Sequence, residues 1–506
     1  MAASATPRHR FALACATSQN ERITLQKGER ALSQEDKTSR LLTGHFRCSD
    51  DLADFVVSGD LSSDSGFFRF GRAGVCYGQC SAEAPATIPT DSLRDAGQDV
   101  SLDGESVQLP FDPVQVVQNL RYERYRPSSN GGRKEINTSS LVRKIYYLFR
   151  PLMPVGFRKH LQRLYFRDWN KIAFPSWPVD FAVEDILEQL LMLSMKATKV
   201  ERLPFIWFWP DGAPSCTTIT HDVETSAGRD FCSDLMDLND SFEIKSAFQV
   251  IPEKRYSVPQ SYLDGIRNRG FELNVHDLNH DGHLMERKEE FLRRAEHINR
   301  HGLKFGAFGF RSAMLHRNLD WYDALDFSYD MSVPNVAHLD PQRGGCCTVF
   351  PFFNGKLLEL PVTVTQDYTL FHMLNDYSTN LWKRQISLIE QRHGLIQIII
   401  HPDYIIEKAA RRVYGELLGY LAGMRARGET WIALPGEIAE WWRLRSKLRL
   451  VDEGGCLRIE GEGRQRARIA YATIEDGVLK YEFDPTVRET ENLPDPSSDS
   501  IQDIAV

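Results

Sequence analysis

No apolar run in these 506 residues is long enough to cross a bilayer. The best, 396–400, is far short of the ~20 residues a spanning helix needs. Positive charge is not in excess: 61 Lys and Arg against 69 Asp and Glu leave a net charge of -8, which argues against nucleic acid as a general partner. Cysteine is sparse for a disulfide framework. Nine in this length is an odd number, Cys76 and Cys80 have no matching second pair for a zinc knuckle, and the adjacent Cys346 and Cys347 read as buried or loop thiols of a reducing compartment. Arg8 and Arg10 precede only a brief apolar stretch at 11–16, so no signal peptide is expected and a cytoplasmic location follows as an expectation.

The composition that is present, 42% hydrophobic with 26% charged, describes a chain that buries a sizeable core. Residues 1–135 are rich in Ser, Asp, Gly and Thr without sustained periodicity, and read as irregular or disordered. Residues 136–210 read as a helical lead-in that packs on the main domain. Its basic amphipathic part, 141–165, could also make peripheral contact with a membrane surface.

From 211 to 445 a rhythm sets in. Apolar or β-branched runs fall at 216–220, 245–251, 271–275, 305–310, 326–331, 357–362, 395–400 and 430–434, with helical patterns between many of them. Phe291, Leu292, Ala295 and Ile298 mark one such helix, closed by Gly302. Seven or eight βα units in so short a span predict an α/β fold, an irregular (β/α)7-8 barrel, least regular over 332–356, where no helix signal occurs. Residues 446–485 read as a small antiparallel β appendage and 486–506 as a disordered acidic tail.

Two clusters carry the chemistry. Asp222 and Glu224 follow the 217–220 run, and alternation aims both to one side; an N-cap role for Asp222 is the plain alternative. His276 and His280 would lie about 13 Å apart in a strand, but share one face on a helical turn, where they can chelate. With one carboxylate they would form a two-His, one-carboxylate metal triad, leaving the other carboxylate as a base. Arg311, Asp330 and His401 end three further runs. Five runs therefore each deliver a polar group at the C-terminal end, where (β/α) barrels build their active sites.

The order THDVE (220–224), HDLNH (276–280), FRS (310–312), YDMS (329–332) and IIIHP (398–402) resembles the NodB-homology polysaccharide deacetylases, carbohydrate esterase family 4, over roughly 215–440. The resemblance implies a metal-dependent hydrolase acting on carbon–nitrogen bonds of an acetylated carbohydrate, removing N-acetyl or O-acetyl groups. It implies Asp222 as base and Glu224, His276 and His280 as ligands of one divalent ion, zinc first, with cobalt, nickel or manganese also suited to N/O donors. It further implies Arg311 orienting the base, Asp330 tuning the histidine, and His401 as general acid. Val223 stands where the family has a second aspartate, and the acid comes one residue later. Asp367 and Tyr404 are candidate substrate-binding residues. Hydrolysis of a non-sugar amide by the same barrel, an inactive glycan-binding relative, and a non-haem iron oxygenase are the competing readings; the βα rhythm opposes the last.

Overall fold

The computed structural model describes residues 34–71, 74–81, 85–90, 92–126 and 166–483. The basic stretch 141–165 and the acidic tail lie outside the described residues. Among those described, no helix is long and apolar enough to cross a membrane.

Each of the eight apolar runs contributes a strand, although the run at 305–310 opens at the end of a helix and pairs only from Gly309. We label those of the main sheet β1 (Cys216–Val223), β2 (Ala247–Val250), β3 (Glu272–His276), β4 (Gly309–Arg311), β5 (Tyr329–Asp330), β6 (Phe352–Asn354), β7 (Leu357–Glu359), β8 (Leu395–Ile400) and β9 (Trp431–Ile432). Their order is β6-β7-β5-β4-β3-β2-β1-β8, with β9 pairing the start of β1. Every pairing is parallel except that of β6 with β7, a hairpin in the stretch expected to lack helix. Strands β1 and β8 are buried along their whole length. That is why they read as continuous β-branched runs rather than alternating ones. The main connecting helices are α1 (Ser226–Asp240), α2 (Gln260–Asn268), α3 (Lys288–Phe305), α4 (Asn380–Glu390), α5 (Lys408–Ala426) and α6 (Pro435–Arg445). The result is the irregular (β/α) barrel that the sequence predicts.

Helix α3 runs past the expected stop at Gly302 to Gly306, which takes the left-handed conformation at φ 56°. Gly302 serves packing instead: a Cβ there would lie 2.7 Å from the Phe327 ring. Glycine ends a helix where the backbone turns left-handed, and only the fold shows which glycine that is.

The sheet's two edge strands, β6 and β8, do not pair with each other. Into this seam runs the segment after β7: Val364 N–H donates to Gln397 O at 3.2 Å, while Thr363 Oγ1 donates to Leu395 O at 2.7 Å and accepts from Gln397 N–H at 2.9 Å. A side-chain bridge replaces part of the missing ladder and carries the chain to the top of β8.

The flanks are less separate than expected. Within 1–135, a helix (Gln34–Phe46), short strands and a second helix (Pro113–Arg121) bury Phe55, Phe67, Phe68, Phe70 and Phe111 in one hydrophobic core with the barrel. Glu123 is buried against Arg317, reached at 2.8 Å through Nε, so the described residues of this region are irregular but integral. The C-terminal strand Ile469–Glu475 pairs antiparallel with Arg202–Ile206 of the lead-in as well as with Val478–Phe483, so part of the appendage closes over the chain ahead of the barrel. Trp207, Trp209, Trp441 and Trp442 are buried, their rings in core packing, with Trp209 Nε1 donating to His393 O.

Candidate metal and catalytic site

Strand β1 ends inside the core, so Val223 packs inward while Asp222 and Glu224 turn to the opposite side. Asp222 is 4% exposed, and its Oδ1 accepts from Arg311 NH1 at 2.6 Å. The N-cap alternative falls away: α1 is capped by Thr225, whose hydroxyl accepts from Gly228 N–H. Arg311, fully buried at the end of β4, also donates to Thr220 Oγ1 at 2.7 Å and Met331 O at 2.9 Å. With its amide oriented to satisfy its neighbours, Gln397 accepts from Arg311 NH2 at 2.9 Å. Burial pushes the Asp222 carboxyl up, but Arg311, His276 and His401 outweigh it and hold it below the ordinary value.

Glu224, His276 and His280 present one ligand atom each, all within 4.8 Å of one another. Glu224 Oε1 lies 2.8 Å from His280 Nε2 and 3.8 Å from His276 Nε2. Both Nε2 atoms are buried without a hydrogen-bond partner in good geometry. On the far side of the His276 ring, Nδ1 faces Arg311 O at 3.2 Å; donating there leaves Nε2 as a lone pair aimed at the cluster. Orphaned imidazole nitrogens beside a carboxylate are a donor set that fits a divalent cation.

The helical turn expected to unite the two histidines is absent. His276 ends β3, and the chain then makes left-handed steps at Asp277 (φ 56°) and His280 (φ 54°) that fold His280 back to a ring separation of 5.0 Å. Asp277 shapes this loop. Its N–H donates to Arg311 O at 2.8 Å and its Oδ2 accepts from Ala313 N–H at 3.2 Å. Sequence reading missed it; its only signal is its place inside HDLNH.

His401 follows β8 with Nε2 at 3.5 Å from Glu224 Oε1. Its partner is not Asp330. Asp367, fully buried, accepts from His401 Nδ1 at 2.6 Å and from its backbone N–H at 2.7 Å. Asp330 instead accepts from Ser332 Oγ (2.7 Å) and Ser332 N–H (2.9 Å), in register with Glu359 of β7. The reason is topological: β5 lies on the far side of the sheet path from β8, whereas the seam segment delivers Asp367 beside it. Asp367 is therefore no substrate wall. Burial lowers the His401 pKa, but the Asp367 carboxylate, with Glu224, raises it well above the usual imidazole value. Tyr404 stands 4.9 Å from the His401 ring and 4.8 Å from that of His372, forming an aromatic flank.

No family model and no curated protein matches the chain. Solved structures do. One is a candidate polysaccharide deacetylase from Mycobacterium smegmatis, at 18% identity over 47% of this chain and 93% of that one, TM-score 0.38. Another is the Xyl-CE4 domain of a multidomain xylanase from the hindgut metagenome of Trinervitermes trinervoides, at 14% over 46% and 92%, TM-score 0.30. A third is a family 4 acetyl xylan esterase from Clostridium thermocellum in complex with a cobalt ion, at 12% over 45% and 91%, TM-score 0.30. The solved structures to which this chain is similar are polysaccharide deacetylases and members of carbohydrate esterase family 4.

Proposed function

We propose that the protein is a metal-dependent hydrolase that removes acetyl groups from the nitrogen, or an ester oxygen, of an acetylated carbohydrate. The observation that carries this reading is the arrangement around Glu224, His276 and His280. A carboxylate fixed by Arg311 and an imidazole fixed by Asp367 both border that cluster, each with its own buried partner. The motif order supports it independently.

Glu224, His276 and His280 would hold the ion. When bound, a divalent ion supplies Lewis-acid polarisation of the carbonyl and acidifies a water. Zinc suits the donor set best. The chain's own residues do the rest. Asp222 Oδ1 is engaged by Arg311, so Oδ2, 3.9 Å from His276 Nε2, is the oxygen left to take the proton of the attacking water. The water oxygen bonds to the carbonyl carbon. His401, kept protonated by Asp367, gives its Nε2 proton to the leaving nitrogen as the carbon–nitrogen bond breaks. The products are a carboxylic acid and an amine, the acid passing its proton to the amine; Asp222 loses its proton and His401 takes one back through solvent, which restores the starting state. A cytoplasmic setting is part of the proposal, supported by Cys346 and Cys347, adjacent yet both free thiols.

Acetate release across a panel of acetylated sugars, small amides and ureides, with defined metals added back, tests the reading. Release should be lost in Asp222→Asn and in His401→Ala; release surviving in both would sink it.

A further inference from the structure

Strand β1 pairs with β8 as far as His221 and with β2 as far as Val223, which stands opposite Val250. Glu224 therefore lies one residue beyond the last sheet pairing. A carboxylate on a long side chain at that point has no ladder to fix the backbone that carries it.

The segment after β2 supplies the support. With Val223 opposite Val250 in a parallel pair, the next ladder bond would run from Ile251 N–H to Val223 O. The Tyr256 hydroxyl takes that step instead. It accepts from Ile251 N–H at 3.0 Å and donates to Val223 O at 2.6 Å. One residue further on, Arg255 Nε donates to Glu224 O at 3.2 Å. The peptide planes on both sides of the Glu224 Cα are thus held, and with them the direction in which its side chain leaves the chain.

The support is itself anchored. The Tyr256 ring is half-buried against the main core. Ser257 O accepts from Arg229 Nη1 of α1 at 3.0 Å, and Glu253 Oε1 lies 3.0 Å from His301 Nε2 of α3. Glu253 N–H also donates to Leu278 O at 3.1 Å, inside the loop that returns His280 to the cluster. One short segment thus braces the backbone of both ligand-bearing stretches. With its single proton given to Val223 O, the Tyr256 hydroxyl has none for a substrate, so its action runs through Glu224.

We propose that Tyr256 is a positioning residue for Glu224, its hydroxyl replacing the ladder bond at the end of β1. The inference rests on the hydrolase reading, in which Glu224 holds the ion, and deepens it by giving that ligand an outer partner.

The test is the zinc affinity of the full-length protein, stripped of metal and titrated against a competing chelator. Tyr256→Phe removes only the bridging oxygen and should raise the zinc Kd about 10- to 100-fold, the scale for groups that orient a ligand. In a Glu224→Gln background the same change should leave the Kd where Glu224→Gln alone puts it, since a residue acting through Glu224 then has nothing to position. Tyr262→Phe removes a neighbouring hydroxyl, 3.3 Å from Cys232 Sγ, and should keep the parent Kd. A hydroxyl that served stability alone would lower the urea midpoint without moving zinc affinity. An unchanged Kd in Tyr256→Phe, an equal rise in Tyr262→Phe, or effects that add to those of Glu224→Gln would overturn the role. A parent that binds zinc no better than Tyr256→Phe removes the positioning role alone; a parent that binds no zinc removes the metal-dependent reading and this role with it.

Discussion

Asp367 accepts two hydrogen bonds from His401, one from the ring Nδ1 at 2.6 Å and one from the backbone N–H at 2.7 Å. The pair fixes ring orientation, tautomer and charge together, leaving Nε2 directed toward Glu224. No other carboxylate at the site makes both contacts.

Removing this carboxylate should cost acyl release about 100-fold or more, the usual scale for disabling general acid–base chemistry. The sign of the pH effect follows. Asp367 raises the His401 pKa, so the protonated acid persists to higher pH. In Asp367→Asn the alkaline limb of the rate profile should move to lower pH, while in Asp330→Asn it should stay where the parent has it. A limb unmoved in Asp367→Asn would return the tuning role to some other group.

The ligand assignment is checked by metal content. His280→Ala and Glu224→Gln should each retain well under one equivalent of zinc after dialysis, and Asp222→Asn should retain it. Zinc at about 100 times its Kd should stabilise the parent by about 2.7 kcal/mol against urea, and chelation should remove that increment. Equal zinc retention by all three variants would refute the triad.

The buried pair Glu123–Arg317 ties the N-terminal region to the barrel. Glu123→Gln leaves Arg317 charged and without its carboxylate in the core, which should cost about 3–5 kcal/mol in urea unfolding. A change under about 1 kcal/mol would mean that water reaches Arg317 and that the N-terminal region is dispensable.

Glu184, on the helix Ala182–Thr198, accepts from the Thr348 hydroxyl while its Oε2 is buried without a partner. Burial pushes its carboxyl up to about 8. A raised folded pKa stabilises the fold while both states are protonated. That contribution is lost as pH rises from the ordinary 4.5 through about 8. Glu184→Gln should flatten the fall of the unfolding midpoint between pH 5 and 8.5; an identical slope in both proteins would exclude Glu184 as its source.

The sequence by itself determined the strand rhythm, the (β/α) class and which ends of the strands carry polar groups. Those features are local. A β-branched run buried on both faces reads as a strand wherever it lies, and a polar residue ending such a run is visible without its neighbours. It also named Asp222, Glu224, His276, His280, Arg311 and His401, each inside a short motif. Only the tertiary structure decided what these residues touch. Which carboxylate reaches His401 depends on the open seam between the edge strands β6 and β8, a long-range gap that no motif encodes. The alternation of Val362, Thr363, Val364 and Thr365 ahead of Asp367 follows the same pattern as the other strand ends, yet its meaning needs the partner strand. The same holds for His280, brought back by left-handed steps rather than a helical turn, and for Gly302, held inside its helix by Phe327. Contacts between residues distant in sequence are set by packing of the whole core, and that information lies in no single segment.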